Sequence, residues 1–569
     1  MGEKRAGIGE DERRGQRKQK YISTLNSQLF VKGGVAELAM RLVDSIGTYV
    51  NEGTNFKGLE RKAFGEPGSF YDMENMSGEH WPVLKVREKR RKVREFEGFG
   101  GFFGHDGAGW IDNGEIWWNG EKVCDITPGK KQIVEMGAQA VIFPDKYIFN
   151  TETGEHGSLE NRVNISGTVT YEACDLLGDS ADYRTAVYVK VSAAGIGHGF
   201  REGDVVELSG CEAVPEGYFQ IYTVGEDSFV VLATLEAQSV TETGVQAART
   251  VPDMDYITEC DNRLWGCSSA NHEVYCCALG DPTNWRKYQG LANDSYTVTI
   301  GTPGDFTGAA THLGYVLFFK EDVIHKVFGN KPSNYQVTTV HARGVEQGSA
   351  GSLCLMNETL YYKSRTGMVS YEGSLPGDIG HALGYRKMKN AVSGANNGRM
   401  WVSMEDGDGE HHLFTYDGRT GYWYREDSSE AEGFLSVNGS LYMAKDGAMW
   451  LMDGDGDPAL EDESAEDEDE ISWMAETGDL DMEDLYKRHL QKIMVRMRVA
   501  TGAVCNIQAQ YNGGDWATLK TVEGKDDKNA VSVPIIPHRC DHMRIRLAGT
   551  GDVRVIAMSY SVWRGSELG

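Results

Sequence analysis

A short aromatic strand signal that returns about every 40 residues constrains this chain more than any other feature. It reads Gly101-Phe102-Phe103, Val141-Ile142-Phe143, Leu264-Trp265-Gly266, Val316-Leu317-Phe318, Leu360-Tyr361-Tyr362, Met400-Trp401-Val402 and Leu441-Tyr442-Met443. The starts lie 40, 123, 52, 44, 40 and 41 residues apart. Removing roughly 85 residues from the long interval restores a unit the length of a four-stranded propeller blade. Each unit has a matching second half: another strand, a Gly or Asp turn and often a tryptophan, as in Val274-Tyr275 before Asp281 and Trp285. Such a blade cannot bury both faces alone, so stacking must supply the core.

The expected fold is therefore all-β. A β-propeller of about seven blades is predicted over 51–159 and 251–452, interrupted by a small β-barrel or sandwich at 160–250. Residues 485–569 alternate with period two: Ile493, Val495, Met497 and Val499 share a face, as do Cys505, Ile507, Ala509 and Tyr511, and Met543, Ile545 and Leu547. That pattern predicts a C-terminal β-sandwich. Residues 1–50 form an arm with one amphipathic helix, its stripe set by Val35, Leu38, Leu42, Val43 and Ile46. Seventy glycines against 13 prolines suit many tight turns between short strands.

Charge narrows the function classes. With 57 basic and 85 acidic residues the formal net charge is −28, which repels nucleic acid at long range. Residues 85–94 (KVREKRRKVR) nevertheless carry seven cations, and 453–470 carry eleven acids. The acidic segment 453–484 reads as a solvated linker, and the basic run as a solvated hairpin edge or a docking stripe for an acidic partner. Met1 to Lys20 has no apolar signal core, and no apolar run is long enough to span a bilayer. The ten cysteines show no zinc spacing and read as reduced thiols, in keeping with synthesis in a cytoplasm.

No catalytic, cofactor or metal residues emerge. Asp453, Asp455 and Asp457 have calcium-loop spacing, but Pro458 stands where glycine is needed and Ser464 where the bidentate glutamate belongs. The segment 415–423 resembles a sialidase Asp box with its glycine one residue early. The glycine runs 98–104 and 195–199 lack the Lys-Ser/Thr ending of a phosphate loop. His411 and His412 follow a turn and read as exposed hairpin residues. The expectation is a chain that is not an enzyme.

Several blocks carry a family likeness: Phe56-Lys57-Gly58-Leu59, the run 69–77 (SFYDMENMS) and Trp81-Pro82-Val83-Leu84. Further on come 280–285 (GDPTNW), 304–309 (GDFTGA), 318–321 (FFKE), Val533-Pro534-Ile535 and 539–542 (RCDH). In that order they resemble bacteriophage and prophage virion proteins similar to the tail nozzle, hub or "stabilisation" proteins of short-tailed phages. The resemblance covers 55–569 and leaves the first fifty residues outside it. It implies a structural subunit that assembles as a hexameric ring in the virion tail or neck, below the portal and adaptor. The ring would contact fibre or tip proteins and let genome DNA pass without specific binding. The alternatives are a carbohydrate-binding or glycan-cleaving propeller of a phage tip, and a peptide-binding intracellular scaffold.

Overall fold

The computed structural model describes residues 72–564, apart from 77–78, 86–88, 105, 384–386, 420, 477–487, 526–530, 534, 536–537 and 541–542. The helix expected at 35–46 lies outside the described residues. Among those residues there is no α-helix, only strands and four short 3-10 turns. None contains a helix long and apolar enough to cross a membrane.

The protein is an all-β propeller-type chain. Seven sheets follow one plan: in six of them four consecutive antiparallel strands meander outwards, and in the seventh three consecutive strands are completed from elsewhere in the chain. They fall in two compact units. The unit Phe96–Leu353 holds blades 1 (99–125), 2 (132–158), 3 (256–299) and 4 (308–340). Within it the first strand of each blade lies against the first strand of the next. The second unit holds blades 5 (354–378), 6 (389–427) and 7 (433–453), whose first strands are likewise neighbours.

The aromatic signal has a packing cause. A blade's second strand is covered on both faces, so its central residues alternate between two cores and are mostly apolar. Leu264 packs with Val141 and Phe143 of blade 2, while its neighbour Trp265 packs with Val316 and Phe318 of blade 4. Met400 and Val402 face Tyr361 and Met368 of blade 5, and Trp401 faces Leu441 and Met443 of blade 7. Each fully buried ring or branched chain of this kind contributes about 1.5–3 kcal/mol. In blade 1 the expected signal, 101–103, falls on the first strand, Phe99–Phe103; Trp110 and Ile111 occupy the second, Gly109–Asp112. Blades also approach closely where side chains are absent: a Cβ on Gly394 of blade 6 would lie 2.3 Å from Cβ of Phe434 in blade 7.

Between blades 2 and 3 runs the insert, an eight-stranded antiparallel sheet built from 161–249. Strands from both ends of that sheet bury Val169, Tyr171, Val189, Val206, Leu208 and Phe229 in one cluster, so the sheet curls over a single core. Two further sheets in the second unit make a sandwich. One holds Ser472–Glu476, Met543–Thr550, Val504–Tyr511 and Ala517–Glu523. The other runs Asp72–Met76, Glu79–Lys85, Val553–Arg564, Arg488–Val499, Val531–Val533. Its core contains Ile493, Val495, Met497, Val499, Cys505, Ile507, Met543, Ile545 and Leu547.

Blade 7 takes its fourth strand from far upstream. Arg91–Glu95 pairs with Ala448–Asp453 on one side and with the two-residue strand Glu466–Asp467 on the other. The basic and acidic runs, expected as a solvated edge and a solvated linker, are thus partners in one sheet. Arg91 bridges Glu461 at 2.6 Å and Asp467 at 2.8 Å, and Lys92 bridges Glu466 at 2.6 Å. Arg90 is buried, pairing with Glu426 and, at 2.6 Å, with Asp427 of blade 6. Burial alone would lower the Arg90 pKa, but Asp427, Glu426 and Glu468 raise it well above the usual value. Glu426 is fully buried and also accepts from Trp401 Nε1 at 2.6 Å and from the Thr415 hydroxyl.

Removing one member of such a buried pair strands the other charge. Arg90→Ala or Glu426→Ala is expected to lower the unfolding free energy by about 3–5 kcal/mol, read from urea denaturation. A change below about 1 kcal/mol, the range of exposed ion pairs, would mean that the blade 7 closure does not depend on the pair.

Candidate functional site

A connected set of polar side chains in the first unit lies where the insert joins blade 3. The turn after the third strand of that blade is 280–285, GDPTNW. Asp281 Oδ1 accepts the Thr283 N–H at 3.0 Å and its hydroxyl at 2.6 Å, which closes the turn. Trp285 is fully buried and donates its indole N–H to the Pro282 carbonyl at 2.7 Å. Asn284, also buried, is fixed by Asp281 and reaches into the insert. Its Oδ1 accepts the Val205 N–H at 3.1 Å and its Nδ2 donates to Asp204 at 3.2 Å.

Asp204 in turn accepts the Arg249 guanidinium at 2.6 Å and the Arg201 N–H at 2.9 Å. Arg249 donates to the Leu159 carbonyl at 3.1 Å, so one chain of contacts spans the entry, body and exit of the insert. Beside it lies a shallow cleft lined by Tyr218, Thr250, Thr283 and Arg286, with the Arg286 guanidinium 4.5 Å above the Tyr218 ring. The arrangement is a clamp. Its donors and acceptors are spent on one another, and in the cleft the Thr283 and Thr250 hydroxyls donate to Asp281 and Glu207.

Other candidates from sequence are placed differently. Asp453 accepts the amides of Asn396 and Asn397 at 3.0 Å each, whereas Asp457 caps the turn at Pro458–Leu460 by accepting the Ala459 N–H. Those carboxylates serve separate donors and do not form a calcium loop. In the segment resembling an Asp box, Asp417 accepts the Arg419 N–H at 2.9 Å, a local turn lock. The run 98–104 is mostly strand, and Gly195 donates its N–H to Asp227 at 2.7 Å in a turn. All ten cysteines are free, nine of them buried.

His412 corrects the sequence reading. It is not an exposed hairpin residue; it is buried in the third strand of blade 6, its Nε2 at 2.9 Å from Asp406. Asp406 also accepts the backbone N–H groups of Asp408 and Glu410, at 2.9 and 3.1 Å. Among the described residues, Asp406, Glu410 and His412 are the one group of three whose ligand atoms fall within 4.8 Å. Asp406 is committed to His412 and to the turn, which makes the group a hairpin lock. Burial would raise the Asp406 pKa, but His412 and the two N–H groups hold it down to about 2. The signal available in sequence was Asp-x-Asp-x-Glu-x-His across a turn, too common in an acidic chain to stand out.

No family model matches the chain, and no curated relative does. Solved structures do. An exo-β-1,3-galactanase from Phanerochaete chrysosporium is 10% identical over 52% of this chain and 92% of its own, with a TM-score of 0.20. PorZ, a surface component of the type-IX secretion system of Porphyromonas gingivalis, is 10% identical over 77% and 70%, with a TM-score of 0.26. The WD40 domain of Toxoplasma gondii coronin is 9% identical over 61% and 88%, with a TM-score of 0.23. At these scores the likeness carries no argument for this chain; the blade assignment rests on its own strand pairing. One expectation is nevertheless corrected. The expectation that the chain is not an enzyme rests on a missing sequence signature, which is no ground for it, and a galactanase stands among the matches.

The depressed Asp406 pKa fixes a sign. Its folded value lies below the usual carboxylate value, so its contribution is complete above about pH 4 and fades as pH falls towards 2. Asp406→Asn is expected to cost about 1–3 kcal/mol at pH 7. The gap in melting temperature between parent and variant should narrow between about pH 4 and pH 2. A gap that stays constant over that window would show that the carboxylate charge is not what locks the hairpin.

Proposed function

We propose that the chain is a structural subunit of a short-tailed phage virion, forming a ring in the tail or neck that extends the DNA-exit channel. The observation that carries this reading is internal neutralisation. The centre of the most basic run is neutralised by the chain's own acids: Arg90, Arg91 and Lys92, three of its seven cations, pair with carboxylates of blade 6 or of the 453–470 run. A −28 chain in which the centre of the most basic run is paired internally is expected to hold a phosphate backbone weakly. DNA can then move past it without adhering.

The placement of the family-like blocks supports the same reading. GDPTNW builds the clamp described above. The blocks at 304–309 and 318–321 meet: Lys320 Nζ donates to the carbonyls of Thr302 and Gly304 at 2.7 and 2.6 Å and lies 4.7 Å over the Phe306 ring. The block at 81–84 is part of a sandwich strand paired with Val553–Arg564. The motifs that resemble the virion proteins are thus used to hold the body together.

Native mass spectrometry and negative-stain imaging of the purified chain test the proposal. The expected result is a closed ring of several copies, six on the resemblance, around an open channel. A stable monomer that binds or hydrolyses polysaccharide overturns it.

A further inference from the structure

The turn between the first two strands of blade 4, Gly308–His312 and Tyr315–Lys320, breaks a rule that the chain keeps elsewhere. Leu313 and Gly314 both take the left-handed backbone conformation, with φ of 50° and 73°. Two-residue turns of this kind favour Asn-Gly or Asp-Gly, because asparagine and aspartate tolerate that conformation and other side chains are strained in it. Six other such pairs ending in glycine occur among the described residues, five with asparagine and one with aspartate in first place. Leu313 is the one apolar residue at positive φ among them all, and it is 58% exposed. Nothing local accounts for a leucine that is strained and wet at once.

Its surroundings are apolar and carry a cation. The Tyr315 and Phe328 rings touch, with centres 5.0 Å apart, and Phe328 is partly exposed. Lys326 Nζ lies 3.9 Å from the centre of the Tyr315 ring and 5.1 Å from that of Phe328. The loop 372–376 closes the other side of the patch. Its Gly373 carbonyl stands 3.4 Å from Lys326 Nζ, and a Cβ on Gly373 would lie 3.7 Å from Leu313. Arg343 donates to the Pro376 carbonyl at 3.3 Å and braces this loop, which presents Leu375 at 65% exposure. Register sets Lys326 between Leu317 and Thr338 and puts Phe328 beside Gln336, so its neighbours across the sheet are uncharged. Glu372 in the loop makes no ion pair with Lys326, whose partners among the described residues are two rings and a carbonyl. Burial accordingly pushes the Lys326 ammonium below its usual pKa.

Charge says what can cover such a patch. Two copies of a −28 chain repel each other, so they meet best where one side offers apolar surface and no net acid. The patch cannot pair with its own counterpart, which would set one Lys326 against the other. It therefore suits a head-to-tail contact, the kind that closes a ring. We propose that this patch of blade 4 docks on the acidic surface of a second copy of the chain. Leu313 and Leu375 are the apolar anchors, and Lys326, already cushioned on two rings, faces a carboxylate of the neighbour. The proposal rests on the ring reading and deepens it by naming one side of the contact between copies.

Leu313→Asn in the full chain tests it. Asparagine suits the turn, so the melting temperature is expected to hold or rise. The dissociation constant between copies, read by sedimentation equilibrium, is expected to rise by about tenfold or more. Lys326→Glu puts an acid into the patch and should weaken association by a similar factor. If that variant fails to fold, Leu313→Asn keeps the test open. A photoreactive benzoylphenylalanine in place of Leu313, in a mixture of isotopically light and heavy chains, should cross-link to an acid-rich peptide of the other copy. Undiminished assembly of Leu313→Asn, or cross-links confined to one chain, overturns the docking surface and leaves the ring standing. A chain that stays monomeric at every concentration overturns both.

Discussion

The buried contact among Arg90, Glu426 and Asp427 is the constraint on which the second unit turns. A guanidinium taken out of water costs several kcal/mol unless carboxylates meet it with good geometry. Blade 6 supplies both, and Glu426 is itself held by Trp401 and Thr415 from the middle strands of that blade. The residue after Arg90 begins the strand that completes blade 7. One ion cluster therefore fixes the register of the closing strand, seats two blades together and determines where the acidic run must lie.

Much of the fold is legible in sequence because burial on both faces leaves an unmistakable trace. Leu264-Trp265 and Met400-Trp401-Val402 read as strands because each residue has a core of its own to enter. The trace misleads at 101–103, where Phe102 and Phe103 lie on a first strand and give the same spacing for a different reason. The sandwich faces were also readable, down to Ile493, Cys505 and Ile545, since one wet face and one dry face impose strict alternation. Pairings across hundreds of residues were not. Nothing local marks 72–85 as two strands of the C-terminal sheet, or 91–95 as a strand of blade 7, because their partners are set by closure of the whole chain.

The polar features show the same division. Charge runs are visible in composition, but which charges face each other is a property of the fold, so two runs that read as solvated turn out to neutralise each other. GDPTNW stands out as a block, yet its role depends on Asp204 and Arg249, supplied by an insert whose sequence gives no hint of the contact. His412 is hidden in the opposite way: two adjacent histidines after an acidic turn look wet, and only the strand register puts the second of them in the core.

The sandwich sheet has a further consequence, for the order in which the protein is made. Its strand Val553–Arg564 lies between Glu79–Lys85 and Arg488–Val499, so the centre of the sheet is synthesised after both of its neighbours. The hairpin at 72–85 waits for a partner roughly 470 residues downstream, on the order of a minute of translation. During that interval its edge is open to any passing strand, a hazard for aggregation and an opening for a chaperone. A chain cut short before Val553 lacks the middle of this sheet, so such products carry a built-in mark.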